Sequence, residues 1–552
     1  MAIYNLISEA LSPVLTASPS STLAVLPLLL LTLYIILNEA IRYRARLPGM
    51  KGPPGLPVIG NLLATRTNAA VQYKTWAKTY GDVYQVQMGN VPIVVVNSAK
   101  AAKALWVGQS QALSSRPVTY TFHKVASTTA GLTIGTSPYD ESLKRRKKGV
   151  AVAVNKPALA SYVPYLDVES RAFLHDLLVH GCSGHQPIDP LPFIQRLSLS
   201  LAVTINWGVR IPSVSDPLFR EIVAVEEELN RFRSTTGNLQ DYVPLLRLNP
   251  INLHSARARA MRGRRDAYLA KFNHDLADKV AKGTNKPCIQ ANVITYKEEP
   301  LNETELTSIS LSMLGGGFET VSSTVQWSVG WLAQHPDEQE RALREIRAFQ
   351  RENGAGGGGD SAVGDNAAVD GEAEAFGDAA DELKCPYISA MAKEALRYFT
   401  VIPLNLPRES TRDIEYEGKF IPKGTTVYMN AEACNTDEDV WDDPHVFRPD
   451  RWFEKPDANV FTFGLGYRMC AGHLLATREL YLIFMRLITS FKLEPYGNTD
   501  FDPAKGGKNP RDLIKAPDNY KVYCVPRNEK ALRKWLDSFG KEEYDEEIGE
   551  KS

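Results

Sequence analysis

Apolar and polar positions divide the chain into three regimes. The first is an uncharged run, LAVLPLLLLTLYIIL from Leu23 to Leu37, which Ser21 and Thr22 extend to the lower end of what spans a bilayer as a helix. No Lys or Arg occurs in residues 1–20, whereas Arg42, Arg44, Arg46 and Lys51 follow the run. The positive-inside rule then leaves the bulk of the chain in the cytosol, and a cleaved signal peptide would carry its charge ahead of the run. The predicted layout is a lumenal segment over 1–20, a transmembrane anchor over 21–41 and a basic, Pro/Gly-rich hinge over 42–61. In that hinge PGMKGPPGLPVIGN forbids regular helix and favours a stiff extended connector.

The second regime is periodic. A helical stretch, VQYKTWAKTYG, leads into VYQVQMG and VPIVVVN, whose alternation and β-branched runs predict strands and a small sheet near the start. Most of the remaining chain has helical spacing, including Leu301 to Gln334 and Asp337 to Gln350, the latter opened by His335 and Pro336 with acids in its first turn. The fold class is mainly α with a minor β part. The third regime is polar without period. Over 352–382 the composition shifts to Gly, Ala and acids, which bury too little apolar surface to order; the tail over 531–552 is charged, and its acidic stretch KEEYDEEIGE is solvated. Gly354, Gly356 and Gly359 spell a formal G-x-G-x-x-G, but no strand precedes them and no helix pattern comes directly after, so the dinucleotide reading fails.

At 552 residues with 44% hydrophobic and 23% charged, the chain can build a large core. Lys plus Arg (63) balance Asp plus Glu (64), so global charge offers no reason for a nucleic-acid partner. The six cysteines, Cys182, Cys288, Cys385, Cys434, Cys470 and Cys524, form no Cys-x-x-Cys pair, which points to a reducing compartment rather than a disulfide framework. Asn302 in N-E-T is an unused sequon if the globule is cytosolic.

One stretch carries specific chemistry: FGLGYRMCAG, from Phe463 to Gly472. A thiolate ligand must approach a metal from a tight loop, be steadied by backbone N–H groups and be shielded from water. Gly464, Gly466 and Gly472 permit the turns and a close approach to a flat cofactor. Phe463 can pack beside the sulfur of Cys470, and Arg468 can pair with a cofactor carboxylate. The apolar helix LLATRELYLIFMRLI comes next, with its N-terminus toward the thiolate.

This loop resembles the haem loop F-x-x-G-x-R-x-C-x-G of the cytochrome P-450 family at Phe463, Gly466, Arg468, Cys470 and Gly472. The resemblance runs from about Gly52 to Arg527 and implies a single large catalytic domain over 62–530 in the P-450 fold, binding haem b through Cys470. It extends to KEALR, where Glu394 and Arg397 match the family's E-x-x-R, and to Arg451 in PHVFRPDRW, implying a buried Glu394, Arg397 and Arg451 network. In LSMLGGGFETVSSTVQW, Gly316, Gly317, Glu319 and Thr320 match the helix that crosses the haem, so Thr320 would hold a water near dioxygen and Glu319 would relay protons. Three glycines in a helix cost ~1 kcal/mol each, which some function should offset.

In ESLKRRKKG (Glu141 to Gly149), Lys144 and Lys147 fit the basic positions of the family's W-R-x-x-R, which touches the haem propionates. Leu143 stands where the family has Trp, and Asn435 where a His is often found. The basic run Lys144, Arg145, Arg146, Lys147 and Lys148 would dock the reductase.

The implied activity is a haem-thiolate monooxygenase at the endoplasmic reticulum membrane, a single-pass protein with a cytosolic catalytic domain. NADPH would act only indirectly, through NADPH-cytochrome P-450 reductase, with cytochrome b5 a second candidate donor. SPYDESLKRRKK, NKPALASYVP, INWGVRI and MNAEACNTD look like the fungal phenylacetate hydroxylases and m-cresol or m-hydroxybenzyl alcohol hydroxylases. The expected substrate is a small lipophilic aromatic or phenolic compound of fungal secondary metabolism, or a phenylacetate-type acid in catabolism. Its walls would come from Pro117 to Pro138, Ser308 to Phe318, Thr400 to Leu406 and the turn near Ala516 and Pro517. Two rivals are a family member that rearranges its substrate without dioxygen and a non-enzymatic membrane haem sensor, and Thr320 with Glu319 argues against both.

Overall fold

The computed structural model describes residues 19–538 apart from 130, 235, 250, 297–299, 354–375 and 506, with side chains described from Leu26 onward. Most of the expected lumenal segment, the centre of the Gly/Ala/acidic insertion and the end of the charged tail lie outside the described residues. Helices dominate, as the periodicity predicts, and the sheets are small.

The apolar run forms the helix Pro19–Arg44, the one described helix long and apolar enough to cross a membrane. It continues past the expected limit at 41 because its last turn has polar partners in the globule. Glu39 Oε1 accepts the Val58 N–H at 2.8 Å, and Gln87 Nε2 donates to the Arg42 carbonyl at 2.7 Å. The Pro/Gly segment is pinned along the first strand: Gln85 N–H donates to Lys51 O at 3.0 Å, and Asn61 N–H to Gln87 O at 2.6 Å. Gly52 is required there, since a Cβ would stand 1.9 Å from the Gln85 carbonyl.

The main sheet orders its strands β1 (Val83–Met88), β2 (Val91–Val96), β6 (Thr426–Met429) and β3 (Arg408–Glu409). β1 and β2 form the expected antiparallel hairpin, whereas β2 pairs in parallel with β6, Ile93 opposite Thr426. That pairing brings the Arg408 region beside the chain's first third. Two further two-stranded sheets, β4 (Ile414–Tyr416) with β5 (Lys419–Ile421) and β7 (Phe491–Tyr496) with β8 (Lys521–Pro526), complete the β part.

The core lies where helices Leu191–Trp207, Glu319–Gln334, Pro386–Phe399 and His473–Ser490 meet, around Trp327, Phe399 and Leu487. Trp327 stacks on Phe399 with ring centroids 5.7 Å apart, and its indole N–H donates to Lys515 O at 3.0 Å. Truncating such a buried aromatic costs about 3–5 kcal/mol.

Two compositional boundaries move. Phe376, expected within the insertion, is buried against Trp535, and Gly377 O accepts from Arg486. The expected tail likewise begins with the helix Glu529–Asp537, whose Leu532 is buried. A single aromatic or leucine anchors each segment, which averaging over composition hides. Asn302 caps the helix Glu303–Gly317: its Oδ1 accepts the Glu305 N–H at 2.9 Å while Glu305 Oε2 accepts the Asn302 N–H at 3.2 Å.

Candidate active site

The cysteine loop is closed by its own backbone. Cys470 N–H donates to Phe463 O at 3.0 Å, between the 3₁₀ turns Phe461–Phe463 and Gly466–Arg468 and the helix His473–Ser490. Gly464 and Gly466 sit at φ 68° and 64°, and a Cβ at Gly466 would collide with Trp106 O at 1.9 Å. Cys470 is solvent-accessible yet deep, so desolvation pushes its thiol up while the Gly472 N–H opposes the shift. A nearby cation is what would hold it as a thiolate. The Phe463 ring meets the His473 ring edge-on at 6.1 Å.

Beside this loop lies buried positive charge with no anion. Arg468 donates to Ser114 O at 3.0 Å, Ile134 O at 2.8 Å and Ser137 O at 2.9 Å. Arg408 donates to Leu113 O and Leu465 O, each at 3.0 Å, and Arg116 to Pro407 O at 2.7 Å and to Leu406 O. Lys147 donates to Tyr467 O with its ammonium 3.5 Å from that ring's centroid. No ion pair joins these four to a carboxylate among the described residues, and the Arg116 Nε is buried without a partner. Burial, then the neighbouring Arg468, Arg408 and Arg116, lower Lys147 to about 8; burial, then Arg468, lowers Arg408 to about 9. Burial brings Arg468 down to about 10.

Such a group costs several kcal/mol unless an anion joins it. It fits the paired carboxylates of haem b. Cys470 would hold the haem iron, Arg468, Arg408, Arg116 and Lys147 would hold its carboxylates, and the bound group would supply dioxygen activation.

Two expectations change here. Lys144 does not join Lys147: it faces outward, ion-paired with Glu141 at 2.6 Å one turn away. Arg146 is buried, donating to Ser308 Oγ at 2.6 Å and Ser137 Oγ at 3.0 Å, and so leaves the docking run. Asn435 lies away from the cationic group, tying Thr400, Phe461 and Thr462 together and accepting from Arg397 at its carbonyl. Arg116, in a loop, and Arg408, on the two-residue strand β3, were missed because an isolated arginine carries no periodic or motif signal.

Across the site the predicted long helix is interrupted at Phe318, between Glu303–Gly317 and Glu319–Gln334. Thr320 Oγ1 donates to Gly316 O at 2.8 Å, and a Cβ at Gly316 would face open space. Glu319 is buried, and desolvation, then Glu226, push its carboxyl well up against the opposing pull of Arg233, a net shift that favours the protonated form. That suits an acid, although no hydrogen bond links it to Thr320.

The Glu394 network assembles in full. Arg397 grips both carboxylate oxygens at 2.9 and 2.7 Å, and Arg451 Nε reaches Oε1 at 3.0 Å. Trp452 Nε1 at 3.0 Å and Arg448 N–H at 2.9 Å complete it, partners the sequence did not announce. Arg397 and Arg451 also donate to Asn435, Pro444, Asp442 and Val446 carbonyls, locking the segment ahead of the cysteine loop.

A cavity of about 120 Å³ adjoins Arg116. Its walls include Pro117, Val118, Phe122, Gly135 and Leu406, from two stretches expected to line it, and Arg233, Ser234, Asp241 and Tyr242, which were not expected.

The profile of the cytochrome P-450 family matches residues 50–524. The chain is 55% identical over 501 residues to 3-hydroxyphenylacetate 6-hydroxylase of Emericella nidulans, spanning 91% of this chain and 93% of that one. It is 40% identical over 512 residues to phenylacetate 2-hydroxylase of the same organism, spanning 90% and 95%. A solved zebrafish cytochrome P-450, described with abiraterone, superposes with TM-score 0.65 at 19% identity, covering 83% of this chain and 100% of that one, which establishes the fold. With this fold, a cysteine loop that carries the family's motif and these relatives, the chain belongs to the cytochrome P-450 family and is a haem-binding monooxygenase.

Proposed function

We propose that this enzyme hydroxylates the aromatic ring of an arylacetic acid at the carbon next to its side chain. The 55% identical relative carries the reading: it is named for position 6 of 3-hydroxyphenylacetate, and the 40% identical one for position 2 of phenylacetate, both adjacent to the acetate arm. The cavity's lining supports it: apolar Pro117, Val118, Phe122 and Leu406 stand beside the cationic Arg116 and Arg233, a setting for a ring that carries an acid. Of the expected settings, catabolism of a phenylacetate-type acid is favoured over secondary metabolism.

Haem held by Cys470 supplies dioxygen activation. In net terms, the ring C–H and dioxygen, with two electrons and two protons, give a ring C–OH and water. Arg468, Arg408, Arg116 and Lys147 hold the propionates. Thr320 presents a hydroxyl over the open face at Gly316, and Glu319 carries the proton that the interior supplies next to it. Electrons come from NADPH through its reductase, docked on Lys148, Lys144 and Arg145, with cytochrome b5 as a second donor. The helix Pro19–Arg44 anchors the chain in the endoplasmic reticulum membrane with the catalytic domain cytosolic.

The test is turnover of the full-length enzyme with reductase, NADPH and 3-hydroxyphenylacetate or phenylacetate, with the product's substitution pattern read by NMR. Product hydroxylated beside the acetate arm is expected. Hydroxylation of neutral phenols only, or at the side-chain carbon, overturns the reading.

A further inference from the structure

Of the three glycines in the interrupted helix, Gly315 has a specific neighbour. A Cβ there would stand 3.1 and 3.4 Å from the two Nη atoms of Arg233 and 3.2 Å from Glu226 Oε2. The missing side chain thus lets a guanidinium lie against the helix backbone, one residue before Gly316, whose carbonyl takes the Thr320 hydroxyl. Arg233 caps the C-terminus of the helix Pro217–Phe232 and lines the cavity, with its guanidinium 5.2 Å from the Phe122 ring centroid.

The other polar groups of that cavity are committed. Arg116 donates to Leu406 and Pro407 carbonyls. His123 is neutral, pushed down to about 4 by burial, and its Nδ1 accepts the Thr119 N–H at 2.8 Å. Ser234 donates to Arg511 O. Asp241 accepts the Thr121 N–H at 2.6 Å, and burial raises it to about 6. Arg233 differs: Arg116 shares its buried, unpartnered Nε but donates through Nη1, whereas no hydrogen bond or ion pair is made by the Arg233 guanidinium among the described residues. Glu226, beside it, accepts from the Tyr268 hydroxyl at 3.3 Å; burial pushes its carboxyl up, and the nearby Arg233 opposes that shift. Arg233 is half-buried with its Nε wholly buried, and a guanidinium so placed against an apolar wall is completed by an anion.

We infer that Arg233 binds the carboxylate of the arylacetate substrate and so sets which ring carbon reaches the Gly316–Thr320 face. This rests on the proposed function and names the residue that would carry its specificity. The acetate arm separates carboxylate from ring by a single methylene, so an acid paired beside Gly315 holds the ring carbon next to that arm closest to its neighbour Gly316. A para carbon would lie several ångströms further away, on the order of a ring's width.

The experiment uses the full-length holoenzyme and the haem absorption shift on ligand binding, with 3-hydroxyphenylacetate and its neutral amide as probes. Arg233→Met should weaken the acid by about 10- to 100-fold, the loss of one charge-assisted hydrogen-bonded pair, while changing the amide by less than about threefold. Arg233→Lys, which keeps the charge, should recover part of the acid's affinity, and its Soret band and reduced carbonyl spectrum report an intact fold. The KM for the acid should rise more than kcat falls. Equal weakening of acid and amide in Arg233→Met, or unchanged acid binding, would overturn the assignment of Arg233 while leaving arylacetate hydroxylation standing. If the unaltered enzyme binds the amide and not the acid, both fall.

Discussion

Thr320 Oγ1 donates to the carbonyl of Gly316, 2.8 Å away and one turn earlier, across the break between two helices. The bond fixes the hydroxyl at the one point where the glycine leaves open space beside the chain. Removing the hydroxyl should leave the break in place, since Phe318 N–H still bonds Leu314 O at 3.1 Å, and should alter only proton handling. Thr320→Ala is expected to consume NADPH at a comparable rate but release several-fold more hydrogen peroxide per product, and Thr320→Ser to restore coupling. Peroxide yield per NADPH measures it, and an unchanged ratio in the alanine variant would remove Thr320 from the proton path.

Glu394 is wholly buried between Arg397 and Arg451, also buried, so its loss strands two cations. Glu394→Gln should cost ~3–5 kcal/mol. Arg448→Ala cuts only the half-exposed pair with Glu454 and should cost less than about 1 kcal/mol. Thermal unfolding of the two variants side by side tests the ordering.

Arg468, Arg408, Arg116 and Lys147 repel one another, so a haem propionate relieves a strain that the protein alone cannot. Arg468→Met should lower haem affinity by about 10- to 100-fold, the value of a charge-assisted hydrogen bond. Haem retained per protein after gel filtration reads this, and stoichiometric retention at low haem concentration would exclude the residue from propionate binding.

Glu479 is buried on the helix after Cys470, and desolvation raises its carboxyl from 4.5 to about 8. A raised acid binds its proton more tightly folded than unfolded, so its contribution is complete below 4.5 and disappears as pH rises through 8. Stability should fall across that window by a few kcal/mol at most, on the order set by a carboxyl losing a proton in a dry site. Glu479→Gln should flatten the slope. Melting temperatures between about pH 4 and about pH 9, bracketing the two values, decide it; parallel curves for both proteins would reject the assignment.

The local signals that survive into the structure are those confined to a few neighbouring residues. The apolar run, the hairpin, the cysteine loop and the i, i+3 pair Glu394–Arg397 need only spacing, because covalent geometry and helix period bring their members together. Composition misjudged the segment edges at Phe376 and at Glu529–Asp537, where one apolar side chain docking on a distant helix outweighs its polar neighbours.

By itself the sequence determined the family of chemistry: a thiolate-bearing loop, a glycine-interrupted helix with an acid and a threonine, and a chain mainly of helices. Only the tertiary structure decided which cations face the cofactor and which face the substrate. Lys144 left that group and Arg116, Arg408 and Arg233 entered their places because charge acts through space. The partners that make an arginine costly or useful stand in this fold up to hundreds of residues away along the chain, as Arg408 and Leu113 do.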